Sequence, residues 1–415
     1  MAHDAGVTGE AAEKIGPKRI GGIKRLRHLL PLLAPLHDVG CQRDSAGNRQ
    51  LHFDQYVTLV LLCLSNPMIK SLRALQQASE LEKVSENLGV KRFSLGSFSE
   101  SVRVFDPEKL KAVIGQLAWE LNPVNADPRL KTHLQQVLKI VDGTVLDALS
   151  TVAQAAWLPF ADGTSKHAWK LHVQFDFDSF MPDDVELTDA RNSGKSDEKN
   201  VLRRKLKRDC CYVMDRWYGQ FTLFNDINKA ASSYVCRMKE NSVFEVIDER
   251  LLSDEALAAN VVRDAVVRMG LSSKPQDRPD HPIRIIVIEA EPHDKRGGRK
   301  GKTAGPGNKG IIVIATNLLE VPAEIIALIY HYRWAIEIFF RFFKQILGCR
   351  HLLSQRGEGI MIQVYCAIIA CMIINLWTGA KPTQRTVEML AWYFMGVASE
   401  DEVMRHISGL KKTHA

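Results

Sequence analysis

The spacing of apolar residues changes once along this chain, and that change limits what it can fold into. From residue 23 to about residue 122, apolar side chains recur every three to four positions, in residues 26–36, 56–64, 72–88 and 110–121. That is the repeat of a helix with one buried face. After Pro123 the pattern becomes short runs rich in β-branched and aromatic residues, at 137–141, 172–177, 184–187, 211–214 and 234–238. Bounded by turn formers, such runs read as strands. Helical stretches at 198–206 and 220–230 flank the fourth run. The series predicts a mixed α/β sheet covered by helices.

Strand-like runs at 261–269 and 283–288 come next, then a Gly- and Lys-rich loop over 295–310. An apolar strand at 311–316 and a long helix starting near Pro322 follow. Residues 241–310 read as a β-rich insertion, because they separate the strand–helix series from the helix that completes it. The expected layout is therefore an unfolded tail (1–22), a helical N-terminal domain (23–122), an α/β core in two parts (123–240 and 311–355) around the insertion, and a C-terminal helical region (356–415).

Local signals place helix ends in the first region. Asp106-Pro107 reads as an N-cap followed by Pro at the first helical position, and Gly89 as a helix end. Ser97 and Glu100 have the spacing of a capping box. Residues 80–105 thus read as helix, turn, helix, which suits a DNA-reading domain and any small helical bundle equally.

Charge leans toward polyanionic partners: the formal net charge is +7, with Lys and Arg gathered at 18–27, 203–208 and 295–302. The eight cysteines show no C-x-x-C spacing, so free thiols in a reducing cytosol are expected and a zinc site is not. No signal peptide is read at the N-terminus. Residues 360–377 are apolar enough to span a membrane but contain Gln363 and Asn375, so they read as a buried helix. A soluble, cytoplasmic chain is expected, with no membrane partner.

Three acids stand out. Asp142 follows the apolar run 137–141, and Asp215 follows 211–214. An acid at the end of a central strand sits where open α/β sheets build their sites. Glu337 has a richer setting, sharing a helix with Tyr330, Arg333 and Lys344. At roughly 100° per residue these four fall within about 60° of one another, while the other positions are mostly Ile, Phe, Trp and Ala. The stripe could be a solvated face with Arg333 pairing Glu337. It could also be a site where an acid holds a metal while Arg and Lys hold phosphate oxygens. Two strand acids and a helix acid suit phosphodiester chemistry with two Mg²⁺ or Mn²⁺ ions, one activating the attacking oxygen and one stabilising the leaving oxygen.

The order Asp142, Asp215, Glu337, with Tyr330, Arg333 and Lys344 at their spacing, resembles the transposases of the insertion-sequence 4 family. The Asp-Gly-Thr context of Asp142 and the Asp-Arg-x-Tyr context of Asp215 strengthen the likeness, which runs from about residue 137 to 353. It implies an RNase H-like catalytic core, interrupted by a β-rich insertion between the second Asp and the Glu. It also implies cut-and-paste DNA transposition in which the three acids bind metal and Tyr330, Arg333 and Lys344 contact DNA phosphates. The pattern departs at Trp217, where the family usually has Gly. The basic loop, including Arg299, Lys300 and Lys302, and the N-terminal helices would bind terminal inverted repeats. Synapsis of two ends implies a homodimer on DNA, and target DNA is a further partner. A transposase-derived repressor without catalysis, or an RNase H-like nuclease without strand transfer, are the alternatives.

Overall fold

The structure, a computed structural model, describes residues 29–45, 47, 49–125, 127–148, 156–159, 165–290, 310–348, 353–354, 356–381, 383–395 and 397–412. The tail 1–22 and the loop positions Arg299, Lys300 and Lys302 lie outside the described residues.

The described chain opens with helices α1 (Leu30–Leu33), α2 (Leu36–Val39), α3 (Phe53–Ser65), α4 (Leu72–Ser79), α5 (Glu82–Leu88), α6 (Leu95–Ser101), α7 (Leu110–Glu120) and α8 (Pro128–His133). Strands β1 (Val137–Ala148), β2 (Ala156–Pro159), β3 (Ser165–Asp176) and β4 (Met181–Asp189) follow. Then come α9 (Glu198–Arg204), β5 (Cys210–Met214), α10 (Phe221–Lys229), β6 (Ser233–Arg237) and β7 (Phe244–Glu249). Next are α11 (Asp254–Ala258), β8 (Val261–Met269), β9 (Ile283–Ala290) and β10 (Gly310–Thr316). Helices α12 (Ala323–His331), α13 (Ala335–Leu347), α14 (Gly357–Thr378), α15 (Gln384–Phe394) and α16 (Glu400–Lys412) close it.

The strands form one ten-stranded sheet in the order β2-β3-β1-β5-β6-β10-β9-β8-β7, with β4 also paired to β3. β3 runs antiparallel to both β1 and β4, while β5 and β6 run parallel to β1. That five-strand arrangement is the expected RNase H-like core, a mixed sheet flanked by helices. The strands of 241–310 pair antiparallel, and β9 joins β10, which in turn joins β6. These strands therefore lengthen the core sheet.

Alternation along the strands sorts the side chains onto two faces. Cys211, Val213 and Val235 pack with the cluster that includes α3, α7, α13 and α14. Their neighbours Tyr212, Met214, Tyr234 and Cys236 pack with Leu202 of α9 and Leu223, Phe224 and Ile227 of α10. The front cluster joins the N-terminal helices, the sheet and the C-terminal helices into one core.

Helix α14 is the axle of that face, packing on α3, α7, α13 and β4. It is long and apolar enough to cross a membrane, yet 89% of its apolar window is buried within the protein. Its two amides are satisfied: Gln363 accepts from the Leu353 N–H at 2.9 Å, and Asn375 donates to the Ser179 carbonyl at 2.9 Å. It is a core helix, as the sequence predicts. The described cysteines are free thiols.

Several helix boundaries differ from expectation. The run 72–88 is two helices, α4 and α5, because the Ser79 hydroxyl donates to the Gln76 carbonyl at 2.6 Å and ends the first. The cap of α6 is Ser94, which accepts from the Ser97 N–H at 2.9 Å, so Ser97 and Glu100 lie inside the helix rather than framing it. Gly89 ends α5 at φ +64°, and Asp106 caps a short 3-10 turn leading into α7.

Candidate active site

Asp142 sits in the middle of β1, not at its end. Gly143 and Thr144 continue the strand, paired to His172 and Leu171 of β3. The parallel pairing of β1 with β5, however, stops at Ile140 opposite Val213. Asp142 therefore stands where the two strands part, and Asp215 follows the last residue of β5. This is the crevice at the carboxyl ends of parallel strands, where α/β sheets hold ligands.

Asp215 caps the 3-10 turn Arg216–Tyr218, its Oδ1 accepting from the Trp217 N–H at 2.8 Å. Trp217 is exposed, with the Lys199 ammonium 4.9 Å from its ring centre. Tyr218 turns inward and is fully buried. Burial raises its hydroxyl well above the usual tyrosine range, and the charges of Glu198, Asp142 and Asp215 add to that.

The stripe of Tyr330, Arg333, Glu337 and Lys344 is not on one continuous helix. A 3-10 turn, Tyr332–Trp334, separates α12 from α13. Tertiary ties hold that turn: the Tyr332 hydroxyl donates to Asp127 at 2.5 Å, and its ring packs 4.4 Å from Phe177. Tyr330 lies in the last turn of α12, Arg333 in the 3-10 turn, and Glu337 in the first turn of α13.

Arg333 joins the acids. Its Nη2 donates to Glu337 Oε1 at 2.8 Å, and its Nη1 lies 3.6 Å from Asp142 Oδ2. Tyr330 is close enough for its hydroxyl to feel both Arg333 and Arg237, although burial is what raises its pKa most. Lys344 lies farther along α13, exposed to solvent, and no described contact links it to the acids.

The Asp142 carboxyl is held well above the usual carboxylate range. Burial pushes its carboxyl to about 7 against the Gly143 N–H bond, the Asp215 charge pushes the same way, and Arg333 opposes. A carboxylate so placed gains from any cation that joins it.

Among the described residues, no three acids, histidines or cysteines cluster tightly enough to enclose an ion, and the Arg333 guanidinium touches both Asp142 and Glu337. In kind, the donors fit a hard divalent cation: Asp142 and Asp215 offer carboxylate oxygens close enough for each charge to act on the other.

Other acids are committed elsewhere. Asp176, which flanks a strand end, binds the Lys139 ammonium at 2.7 Å and the Ser179 N–H at 2.8 Å.

Glu198, the first residue of α9, ion-pairs with Lys170 of β3 beside the acids. Its pattern gave no warning, because acids in the first turn of a helix are ordinary.

Residues 133–374, more than half of the chain, match the family described as transposase DDE domain. A Sinorhizobium fredii protein assigned as a transposase is 27% identical over 208 residues, covering 50% of this chain and 52% of that one. A Geobacillus stearothermophilus protein assigned as the transposase of insertion sequence element IS5377 is 24% identical over 289 residues, 69% of this chain and 68% of that one. The transposase for insertion sequence element IS421 of Escherichia coli is 22% identical over 258 residues, 57% of this chain and 65% of that one. The chain thus spans about half to two thirds of the length of these relatives. Among solved structures, a piggyBac transposase in a synaptic complex with hairpin DNA aligns over 94% of this chain and 86% of that one. Its TM-score is 0.44 at 9% identity. Asp142, Asp215, Arg333 and Glu337 all fall inside the matched segment, and the chain belongs to the transposase DDE domain family.

Proposed function

We propose that this chain is the transposase of a bacterial insertion sequence, cutting and rejoining DNA at terminal inverted repeats, with Asp142, Asp215 and Glu337 as its metal-binding acids. The observation that carries the reading is Arg333, which brings Asp142 and Glu337 to one guanidinium beside Asp215, within the segment matched by the family. Mg²⁺ or Mn²⁺, bound as a pair, would supply Lewis acidity for phosphodiester cleavage and strand transfer.

The chain's own residues do the rest. The crevice between β1 and β5 orients the acids. Arg333 offsets part of the acids' charge and, with Tyr330 and Lys344, offers donors to DNA phosphates. The spacing of Tyr330, Arg333, Glu337 and Lys344 supports membership of the insertion-sequence 4 group. Arg299, Lys300 and Lys302 and the pair α5–α6 extend the DNA contact. Synapsis of two transposon ends takes a homodimer, acting in the cytoplasm on target DNA without a membrane.

The test is strand joining on DNA flanked by the inverted repeats that border the gene. The unmodified chain should excise and join such DNA with Mn²⁺ or Mg²⁺, and Glu337→Gln should not. Joining retained by Glu337→Gln would remove the reading, and cleavage without joining would mark a nuclease instead.

A further inference from the structure

The acids face α13 from the front of the sheet, and behind them lies a second charged pair that this chemistry does not use. Glu198, the first residue of α9, and Lys170 of β3 form an ion pair whose side chains are only 7% and 13% exposed. Both are tied to Asn192, whose Oδ1 accepts from Lys170 Nζ at 3.4 Å and from the Glu198 N–H at 3.3 Å. Asn192 reaches them from a left-handed backbone, φ 55°.

The strand in front of the pair carries no side chain at this point. It is Gly143, next to Asp142, and a Cβ there would come within 2.8 Å of Glu198 Oε1 and of Lys170 Cε. Val141, two residues earlier on β1, packs on the back face with α9, while Ile140 packs on the front. Glu198 thus sits on the opposite side of the strand from Arg333, one residue from Asp142, and close enough to exchange charge effects with both Asp142 and Asp215.

A buried carboxylate added to two others is costly, and Lys170 offsets that cost. A brace for the sheet needs no charge at this position, since apolar side chains would serve.

We propose that Lys170 and Glu198 are positioning residues that set, from behind the sheet, how tightly Asp142 and Asp215 hold a divalent cation. Glu198 adds negative potential to the crevice and Lys170 limits it. This rests on the metal-binding reading given above.

The two members of the pair then have opposite effects, which a brace would not. The measurement is calorimetric titration of the purified full chain with Mn²⁺, without DNA. Glu198→Gln leaves an uncompensated cation behind the acids and should weaken binding about tenfold, the scale of groups that orient metal ligands. Lys170→Met leaves an uncompensated acid and should tighten binding a few-fold by the same reasoning. Glu198→Asp keeps the charge and should restore binding to within about threefold. Gly143→Ala, whose new Cβ displaces the pair without deleting it, covers the case in which Glu198→Gln does not fold, and it should weaken binding in the same direction.

Weakening by Glu198→Gln and Lys170→Met alike, or binding by Glu198→Gln equal to that of the unmodified chain, would overturn the proposal. So would unchanged binding by Gly143→Ala. Asp142→Asn separates the two readings. If it abolishes binding, the heat reports on the acid site and the pair is judged by its own variants. If it binds as the unmodified chain does, the acid-site reading fails and the pair falls with it.

Discussion

Two arginines, one on the sheet and one in the turn before α13, are held in opposite ways. Arg284 on β9 is 3% exposed and meets Asp264 on β8 through two bonds, Nε at 2.7 Å and Nη2 at 2.6 Å. Its Nη1 donates to the carbonyls of Leu318, Leu319 and Val321 at 3.1, 3.0 and 2.5 Å. One cation meets one anion and its donors are used. Arg333 meets Glu337 well and Asp142 loosely, with Asp215 nearby, and it is 18% exposed. There acids outnumber cations, and one of them is held near neutral pH. The balanced pair joins β8 and β9 to the segment that leads into α12. The unbalanced one leaves negative charge that a hard divalent cation would offset, in keeping with the function proposed above.

The comparison can be broken or sharpened by experiment. Glu337→Gln should cut strand joining by at least about a thousandfold, the scale of losing a charged group at a reacting centre, and leave thermal unfolding almost unchanged. Arg284→Ala should do the reverse. It strands Asp264 in the core, and a stability loss of about 3–5 kcal/mol is expected in denaturant titration. If Arg284→Ala unfolded at the same denaturant concentration as the unmodified chain, the contrast between the two sites would be lost.

The third effect is one of pH, in the metal-free chain. Asp142 has its pKa raised to about 7, against about 3.9 unfolded. The folded state therefore binds the extra proton, so this group's contribution is full below about pH 4 and is lost as pH rises through about 7. The loss could reach about 4 kcal/mol, read as a fall in Tm between pH 4 and pH 8. Asp142→Asn should abolish that fall, and parallel pH profiles for the two chains would show that Asp142 is not the cause. The smallest effect is that of added Mn²⁺ at pH 8. At a hundred times its Kd it should stabilise the unmodified chain by about 2.7 kcal/mol and leave Asp142→Asn unmoved.

Much of the architecture was legible in the residues. Short β-branched, aromatic or apolar runs marked β1, β3, β4, β5, β6, β8, β9 and β10, and helical patterns marked α3, α7 and α10. Strand β7 escaped because five of its six residues are exposed and it has no apolar alternation to detect. The join of β9 to β10 was not legible either, since alternation announces a strand and says nothing of its partner. In the candidate site, Asp142, Asp215, Arg333 and Glu337 were singled out and are brought together, while Lys344 stands apart. The break at Tyr332 was missed because its cause, Asp127 and Phe177, is far away in the chain.

By itself the sequence determined the type of most elements, the burial of α14 and the acids worth watching. Those follow from side-chain spacing and from residue chemistry, which are local. Only the tertiary structure decided that β1 continues past Asp142 and that Arg333 touches two acids at once. It alone placed Lys170 and Glu198 against Gly143 on the far side of the strand. Each of these depends on which distant segments share a strand or a crevice, and the net charge of a site is the sum over all of them.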